Sequence, residues 1–345
     1  MLKFNFSNPK LAKALLFIAL ILSFICSIII GPLQIDFKSI FSYFINQGTL
    51  SDIQIYTLLE IRFPRALACV GVGSILAICG ASMQALFRNP LADPGLIGVT
   101  AGASFGAAFY IKFGLFLTAA LPTFIQNFGL PLSAFGAGLI VTWLIQKAAF
   151  LHGKSHVSIM LLAGIAINAL SGAGIGIILF FSDDDMLRQF TFWTLGNVGH
   201  ADWTKLAVAL PMILVSMVLI LRNTSVLNLL LLGETECLHL GINVPKLNRI
   251  LILSTAAGVG AAVSVTGAIG FVGLVVPHII RQWIGPDHSN LVVCSAFLGA
   301  TLLLVADILA KNIAPPAELP IGTLTALMGA PVFFAILLKQ RRFVD

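Results

Sequence analysis

From Ile250 to Ile280 the chain carries no Asp, Glu, Lys or Arg. A helix needs only about 20 apolar residues to cross a bilayer. One helix through this whole stretch would measure about 46 Å, against a hydrocarbon core of about 30 Å. The segment therefore has to turn back, and Gly267, Gly270 and Gly273 mark the place. Runs of similar character recur, giving ten candidate spans at about 12–31, 66–86, 95–114, 129–149, 157–181, 205–222, 247–266, 269–284, 290–310 and 320–338. Only 10% of the 345 residues are charged and 58% are hydrophobic, where soluble domains carry roughly 25% charged residues. That balance excludes a soluble enzyme, an extracellular binding protein and a disordered tail. It predicts an all-α polytopic membrane protein, with residues 1–345 forming one transmembrane domain.

Ten spans put both termini on one side. With the N-terminus inside, 13 Lys and Arg fall inside and 7 outside, the bias expected of an N-in, C-in chain. The net charge of +6 is accounted for by these loop cations. No basic cluster with interleaved aromatics suggests nucleic acid. The apolar run Ala14–Ile30 is longer than a signal-peptide core and lacks a small-x-small cleavage site, so it reads as a first span. The five cysteines, Cys26, Cys69, Cys79, Cys237 and Cys294, have no CxxC spacing and read as small core residues. Small residues at steps of four, Gly98-Gly102-Gly106 and Gly172-Gly176, suit close helix packing in lipid. Gly71-Val72-Gly73 followed by Gly80-Ala81 recurs as Gly258-Val259-Gly260 followed by Gly267-Ala268, five crossings later, which suggests an inverted repeat.

Much chemistry is missing. Gly153-Lys154-Ser155 lacks the upstream glycine of a phosphate loop, since Ala148 stands there. Any ATP hydrolysis must therefore come from another chain. The best candidate for a buried carboxylate is Asp307, with Lys311 at i+4 suggesting a helix-surface pair at the interface. His278 reads as structural. His152, His156, His200, His239 and His288 fall in loops or at span ends, and no His/Glu/Asp cluster has metal-ligand spacing. Arg62 and Arg65 sit one turn apart at the outer mouth of the second span, as interfacial snorkelling groups or as a cationic patch for an acidic partner. The inside loop 223–246 reads as a short amphipathic helix between glycine breaks, suited to lie on the membrane or to dock a cytosolic partner. Arg88–Gly95, with two prolines and Asn89, is a rigid inside turn.

These loops carry a resemblance. Met83-Gln84-Ala85-Leu86-Phe87-Arg88-Asn89-Pro90-Leu91-Ala92-Asp93-Pro94-Gly95, within Gly80–Gly106, resembles the signature of the FecCD-type permeases. These are membrane subunits of bacterial ABC importers for vitamin B12, iron-siderophores and heme. Leu232-Gly233-Glu234 through Leu240-Gly241 is similar to their coupling-helix motif. Gly267 to His278, Ala306-Asp307-Ile308, Glu318-Leu319-Pro320-Ile321-Gly322 and Gly329-Ala330-Pro331-Val332-Phe333 continue the match over nearly the whole chain.

The resemblance implies a type II ABC importer permease in the bacterial inner (plasma) membrane, acting as a homodimer with a path on its twofold axis. It implies two cytosolic ATP-binding subunits, which use ATP and Mg, docked on a coupling helix at Gly233, Glu234, Leu240 and Gly241. A periplasmic or extracellular substrate-binding protein would dock on Arg62, Arg65 and Lys311. A cytoplasmic gate would fall at Asn89, Leu91, Val157 and Ser158. Phe190–Gly196 looks most like heme-type members, with Trp193 a possible substrate-path aromatic or an interface anchor. Heme is favoured over ferric siderophore, and vitamin B12 stands as an alternative. A proton- or sodium-coupled secondary carrier is the rival of another class, with a membrane-embedded enzyme behind it; no cofactor is expected on this chain itself.

Overall fold

The structure, a computed structural model, describes residues 8–45, 50–119, 121–151, 154–155 and 157–341. Lys3, His152, Gly153, His156 and Arg342, which entered the sequence reading, lie outside the described residues. In chain order the main helices are α1 (Pro9–Ile29), α2 (Phe63–Leu86), α3 (Val99–Phe109), α4 (Thr123–Ala149), α5 (Val157–Phe180), α6 (Asp184–Thr194), α7 (Trp203–Leu221), α8 (Thr224–Leu230), α9 (Glu234–His239), α10 (Val244–Thr266), α11 (Val272–Ile284), α12 (His288–Ile313) and α13 (Ile321–Arg341). The described strand pairing is a two-residue antiparallel match of Phe150–Leu151 with Lys154–Ser155.

A helix stands at each of the ten anticipated spans, but their lengths differ from the expectation. Among the described residues, seven helical stretches are long and apolar enough to cross a membrane. The third span is built in pieces: a 3-10 turn Pro94–Ile97, a left-handed Gly98, α3, and a π-helical turn Tyr110–Gly114. The eighth, α11, has 13 residues and so measures about 20 Å. The seventh and eighth are separated as anticipated. α10 stops at Gly267 (φ +70°), and Phe271 (φ +68°) enters α11 from the left-handed region. The second span is longer than expected, continuing back through a π-helical turn to a 35-residue helical stretch, Asp52–Leu86.

α2 is the hub. Every residue from Gly71 to Leu86 is buried, and α1, α7, α8, α10, α11 and α12 all pack on it. Glycine makes that density possible. A Cβ on Gly73 would overlap the backbone of Gly299 on α12, and one on Gly80 would overlap the Gly273 carbonyl on α11. In lipid, where apolar side chains gain little by leaving their surroundings, such close approach is what holds helices together. The packing also has a pairwise pattern. α2 lies on α12 as α10 lies on α4, α3 on α4 as α11 on α12, α3 on α5 as α11 on α13, and α2 on α11 as α10 on α3.

Gly80→Ala forces α2 and α11 apart and costs about 1–3 kcal/mol, the range for overpacking. Gly136→Ala on α4 meets open space and leaves stability unchanged. Thermal unfolding of the two variants in one detergent compares them directly.

Candidate functional site

Polar side chains inside this bundle collect at two ends of the α2–α12 pair. At the first end, the Arg62 guanidinium donates to the carbonyls of Ile28 (2.9 Å), Ile29 (2.8 Å) and Leu33. Those at Ile28 and Ile29 are last-turn carbonyls of α1 that have no partner within the helix. Three residues on, Arg65 bonds Asp307 through Nε (2.7 Å) and both oxygens of Glu318 through Nη1 (2.8 and 2.9 Å). Lys311 lies 3.5 Å from the second Asp307 oxygen and donates to the Ser27 carbonyl at 2.7 Å.

This geometry corrects the expectation of an outward cationic patch at Arg62, Arg65 and Lys311. The three residues are 5%, 6% and 4% exposed, and each is engaged by this chain's own acceptors. Once the α1 carbonyls and the Asp307 carboxylate are buried, cations within reach are held inward because those groups would otherwise be left uncompensated. The Asp307–Lys311 pair is likewise buried rather than on the helix surface, with Asp307 at 0% exposure. Glu318 carries the network outward into the α12–α13 loop. That loop is fixed by Leu319 N–H to Ala310 C=O and by Ile321 N–H to the Gly196 carbonyl.

Trp193 is half-buried on α6. With Phe192, Arg188, His200 and Lys205 it lines a cavity of about 740 Å³. Its carbonyl packs against Gly267, so the residue also braces the α10–α11 turn. Among the described residues, no group of three or more His, Cys, Asp or Glu gathers as a metal site.

The second end holds the turn and the loop. Asn89 is exposed, and its side chain accepts from the Leu91 N–H at 2.9 Å, while Asp93 caps the following 3-10 turn through Gly95 N–H. Leu91 is half-buried. Val157 is the first residue of α5, followed by the exposed Ser158. Among the described residues, no hydrogen bond joins Ser158 to Asn89 or Leu91.

The 223–246 loop is not one amphipathic helix but two, α8 and α9, broken at Gly233 (φ +126°) and closed by Gly241 (φ +76°). Cys237 is buried, anchoring α9. Leu231, Leu232, Leu238 and Leu240 are exposed, as are Glu234 and Glu236. An apolar surface with an acidic rim suits a protein contact.

Two fixings at this end escaped the sequence reading. The Asn228 amide donates to Asp287 (2.7 Å) and its oxygen accepts from the His288 N–H (2.8 Å), pinning α8 to the start of α12. Burial alone raises the Asp287 pKa, but hydrogen bonds from Asn228, Ser289 and Asn290 outweigh it and hold the carboxyl below its ordinary value. On α2, Gln84 donates to the Leu274 carbonyl (3.2 Å) and accepts from Arg281 (2.9 Å). The signals were available: an Asp directly before an apolar run is a helix cap, and a lone Gln inside an uncharged span calls for a partner.

A polytopic bundle of apolar helices, clamped by buried polar groups at both ends and carrying an exposed two-helix loop, is the arrangement of a multi-pass membrane protein. The comparisons agree. The profile of the FecCD transport family matches residues 19–339, and the chain belongs to that family, a multi-pass protein of the bacterial inner membrane. It is 42% identical over 334 residues to the hemin transport system permease protein HmuU of Yersinia pestis, covering 97% of each chain. It is 38% identical to the vitamin B12 import system permease protein BtuC of Vibrio vulnificus, over 85% of this chain and 86% of that one. With the iron(3+)-hydroxamate import permease FhuG of Bacillus subtilis it shares 32%, covering 98% and 99%. A solved inward-facing structure of a metal-chelate type ABC transporter superposes with a TM-score of 0.84 at 30% identity, over 96% of this chain and 100% of that one.

Two outcomes follow. Arg65→Met leaves Asp307 buried with less compensation and costs about 3–5 kcal/mol, whereas Arg65→Met with Asp307→Leu and Lys311→Met, which removes both buried cations with the carboxylate they share, recovers most of it; thermal unfolding in detergent reads both. Asp287→Ala frees α8, and amide hydrogen exchange over 224–239 accelerates about tenfold or more. In the intact protein the Asp287 contribution is present above the ordinary carboxylate pKa of about 3.9 and is lost as pH falls through its lowered value.

Proposed function

We propose that the chain is the membrane permease subunit of an ABC importer for an iron complex, heme in first place. The carrying observation is the exposed leucine surface of α8 and α9 with Glu234 and Glu236 on its rim, in a chain 42% identical to a hemin permease. Two cytosolic ATP-binding subunits, which bind ATP and Mg, dock there around Gly233, Glu234, Leu240 and Gly241. Their closure pushes on α8, and through Asn228 and Asp287 on α12.

In this reading ten helices cross the membrane with both termini inside, and the two halves form an inverted repeat, which the matched helix pairings support. Two copies meet across α5 and α13. These helices present exposed Leu162, Leu170, Ile177, Phe180, Leu327 and Phe334, and Gly172 and Gly176 on α5 face open space. The ligand passes along that twofold axis, gated inside by the Asn89–Leu91 turn and the Val157–Ser158 end of α5. A substrate-binding protein delivers it outside, to loops that Arg62, Arg65 and Lys311 shape from within. Ferric siderophore or vitamin B12 as the cargo is supported by the FhuG and BtuC likenesses. A proton-coupled carrier fares worse, because Asp307 is tied between two cations and is a poor proton relay.

The test is uptake by vesicles holding this chain, its ATP-binding subunit and loaded binding protein. ATP-dependent heme uptake insensitive to an ionophore is the expected result. Uptake by the chain alone, abolished by an ionophore, overturns the importer reading, and transport of cyanocobalamin but not heme reassigns the cargo. Glu234→Arg with Leu238→Asp is expected to cut co-purification of the ATP-binding subunit about tenfold or more, the scale of losing contacts at the centre of an interface.

A further inference from the structure

A second cavity, of about 550 Å³, opens between the C-terminal end of α4 and the N-terminal end of α10. Its wall holds Lys147 and Arg249 and no acidic residue. Lys147 Nζ stands 5.0 Å from the centre of the Trp143 ring, and the Arg249 guanidinium carbon 5.9 Å from that of Phe150. Among the described residues, the ion pairs use other cations, Arg65, Arg188, Lys205 and Lys311. Two unneutralised cations face one space, and Lys246, exposed in the first turn of α10, adds a third charge nearby.

The polarity of the cavity runs in one direction along both walls. On α4, Trp143 lies one turn toward the middle of the span from Lys147. On α10, Leu253 lies one turn toward the middle from Arg249. Below them Ile140, Trp143, Leu144 and Leu253 are 60%, 52%, 42% and 45% exposed, an apolar strip on the outside of the bundle. Cations at the helix ends above apolar side chains match a molecule with an anionic head and a hydrocarbon tail. A free phosphate has no use for the strip.

We propose that this cavity binds an anionic phospholipid, its phosphate between Lys147 and Arg249 and an acyl chain along Trp143 and Leu253. Basic pockets between spanning helices suit such headgroups. The proposal rests on the membrane-spanning reading but not on its direction, since binding in detergent reads the site whichever way the chain is inserted.

The experiment is native mass spectrometry of the purified full chain in neutral detergent, titrated with phosphatidylglycerol or with phosphatidylcholine of the same acyl chains. The wild-type protein is expected to prefer phosphatidylglycerol by about 30-fold, the combined effect of two cations. K147Q/R249Q loses that preference. K147R/R249K keeps it, which shows that charge rather than a folding defect is read. K112Q/R188Q, altered away from the cavity, keeps it too. No preference in the wild type, or a preference that survives in K147Q/R249Q, overturns the proposal. So does competition by glycerophosphoglycerol as strong as by the lipid, which would make this a phosphate site without a tail. Displacement of the lipid by one equivalent of the ATP-binding subunit overturns it in favour of a protein contact.

Discussion

Backbone-to-backbone contact at Gly73–Gly299 and Gly80–Gly273 is what the rest of the bundle depends on. In water a helix buries its apolar face because water rejects it; in lipid that drive is absent, and attraction between helices grows only with closeness. α2 approaches two neighbours within the width of a missing methyl group, and six helices then surround it. The charged residues follow from the same constraint. Inside such a bundle a cation without acceptors is costly, so Arg62 spends its donors on the end of α1, while Arg65 and Lys311 share Asp307.

The two polar ends fall on the same pair of helices. On α2, Arg65 and Gln84 are 19 residues apart, roughly 29 Å. On α12, the capping Asp287 and Lys311 are 24 residues apart, roughly 36 Å. α2 and α12 are thus joined to each other along their middles and tied to neighbours at each end, which leaves little freedom between them. The less covered helices are α1, α5 and α7. The pinning of α8 to α12 joins the loop to the stiff part of the molecule, not to a flexible edge.

The sequence revealed where helices lie over the ten apolar runs and the turn at Gly267, because uncharged length and glycine placement are one-dimensional properties. It also located the 223–246 loop and the rigid Asn89 turn. It did not reveal that α11 is short, since an apolar run says how much chain avoids water and not where the helix starts within it. It misread Arg62, Arg65 and Lys311. Arg62 is met by main-chain carbonyls of α1 and Arg65 by a carboxylate 242 residues away, and distance in space is invisible to spacing along a helix; the Lys311–Asp307 pair was legible at i, i+4, but its burial was not. Asn228 and Asp287 were overlooked for the same reason: the pair exists only once α8 folds back on α12. Asn89, Leu91, Val157 and Ser158 stay where the turn and the start of α5 put them, and among the described residues no hydrogen bond joins Ser158 to the turn.

The α10–α11 turn has one more consequence. Non-helical backbone between two spanning segments is tolerated in a membrane protein only where its polar groups find partners within the protein. At the start of this turn a neighbour supplies a partner: the Asn197 N–H bonds the Thr266 carbonyl at 2.7 Å, and beside it Gly196 accepts from Ile321 at 3.0 Å while packing on Ala268. Three distant pieces of chain are therefore stitched by main-chain atoms alone. A seam made of amides is indifferent to which side chains surround it. Residues lining the nearby cavity could be exchanged while the stitching held, so relatives that carry different molecules could share one frame.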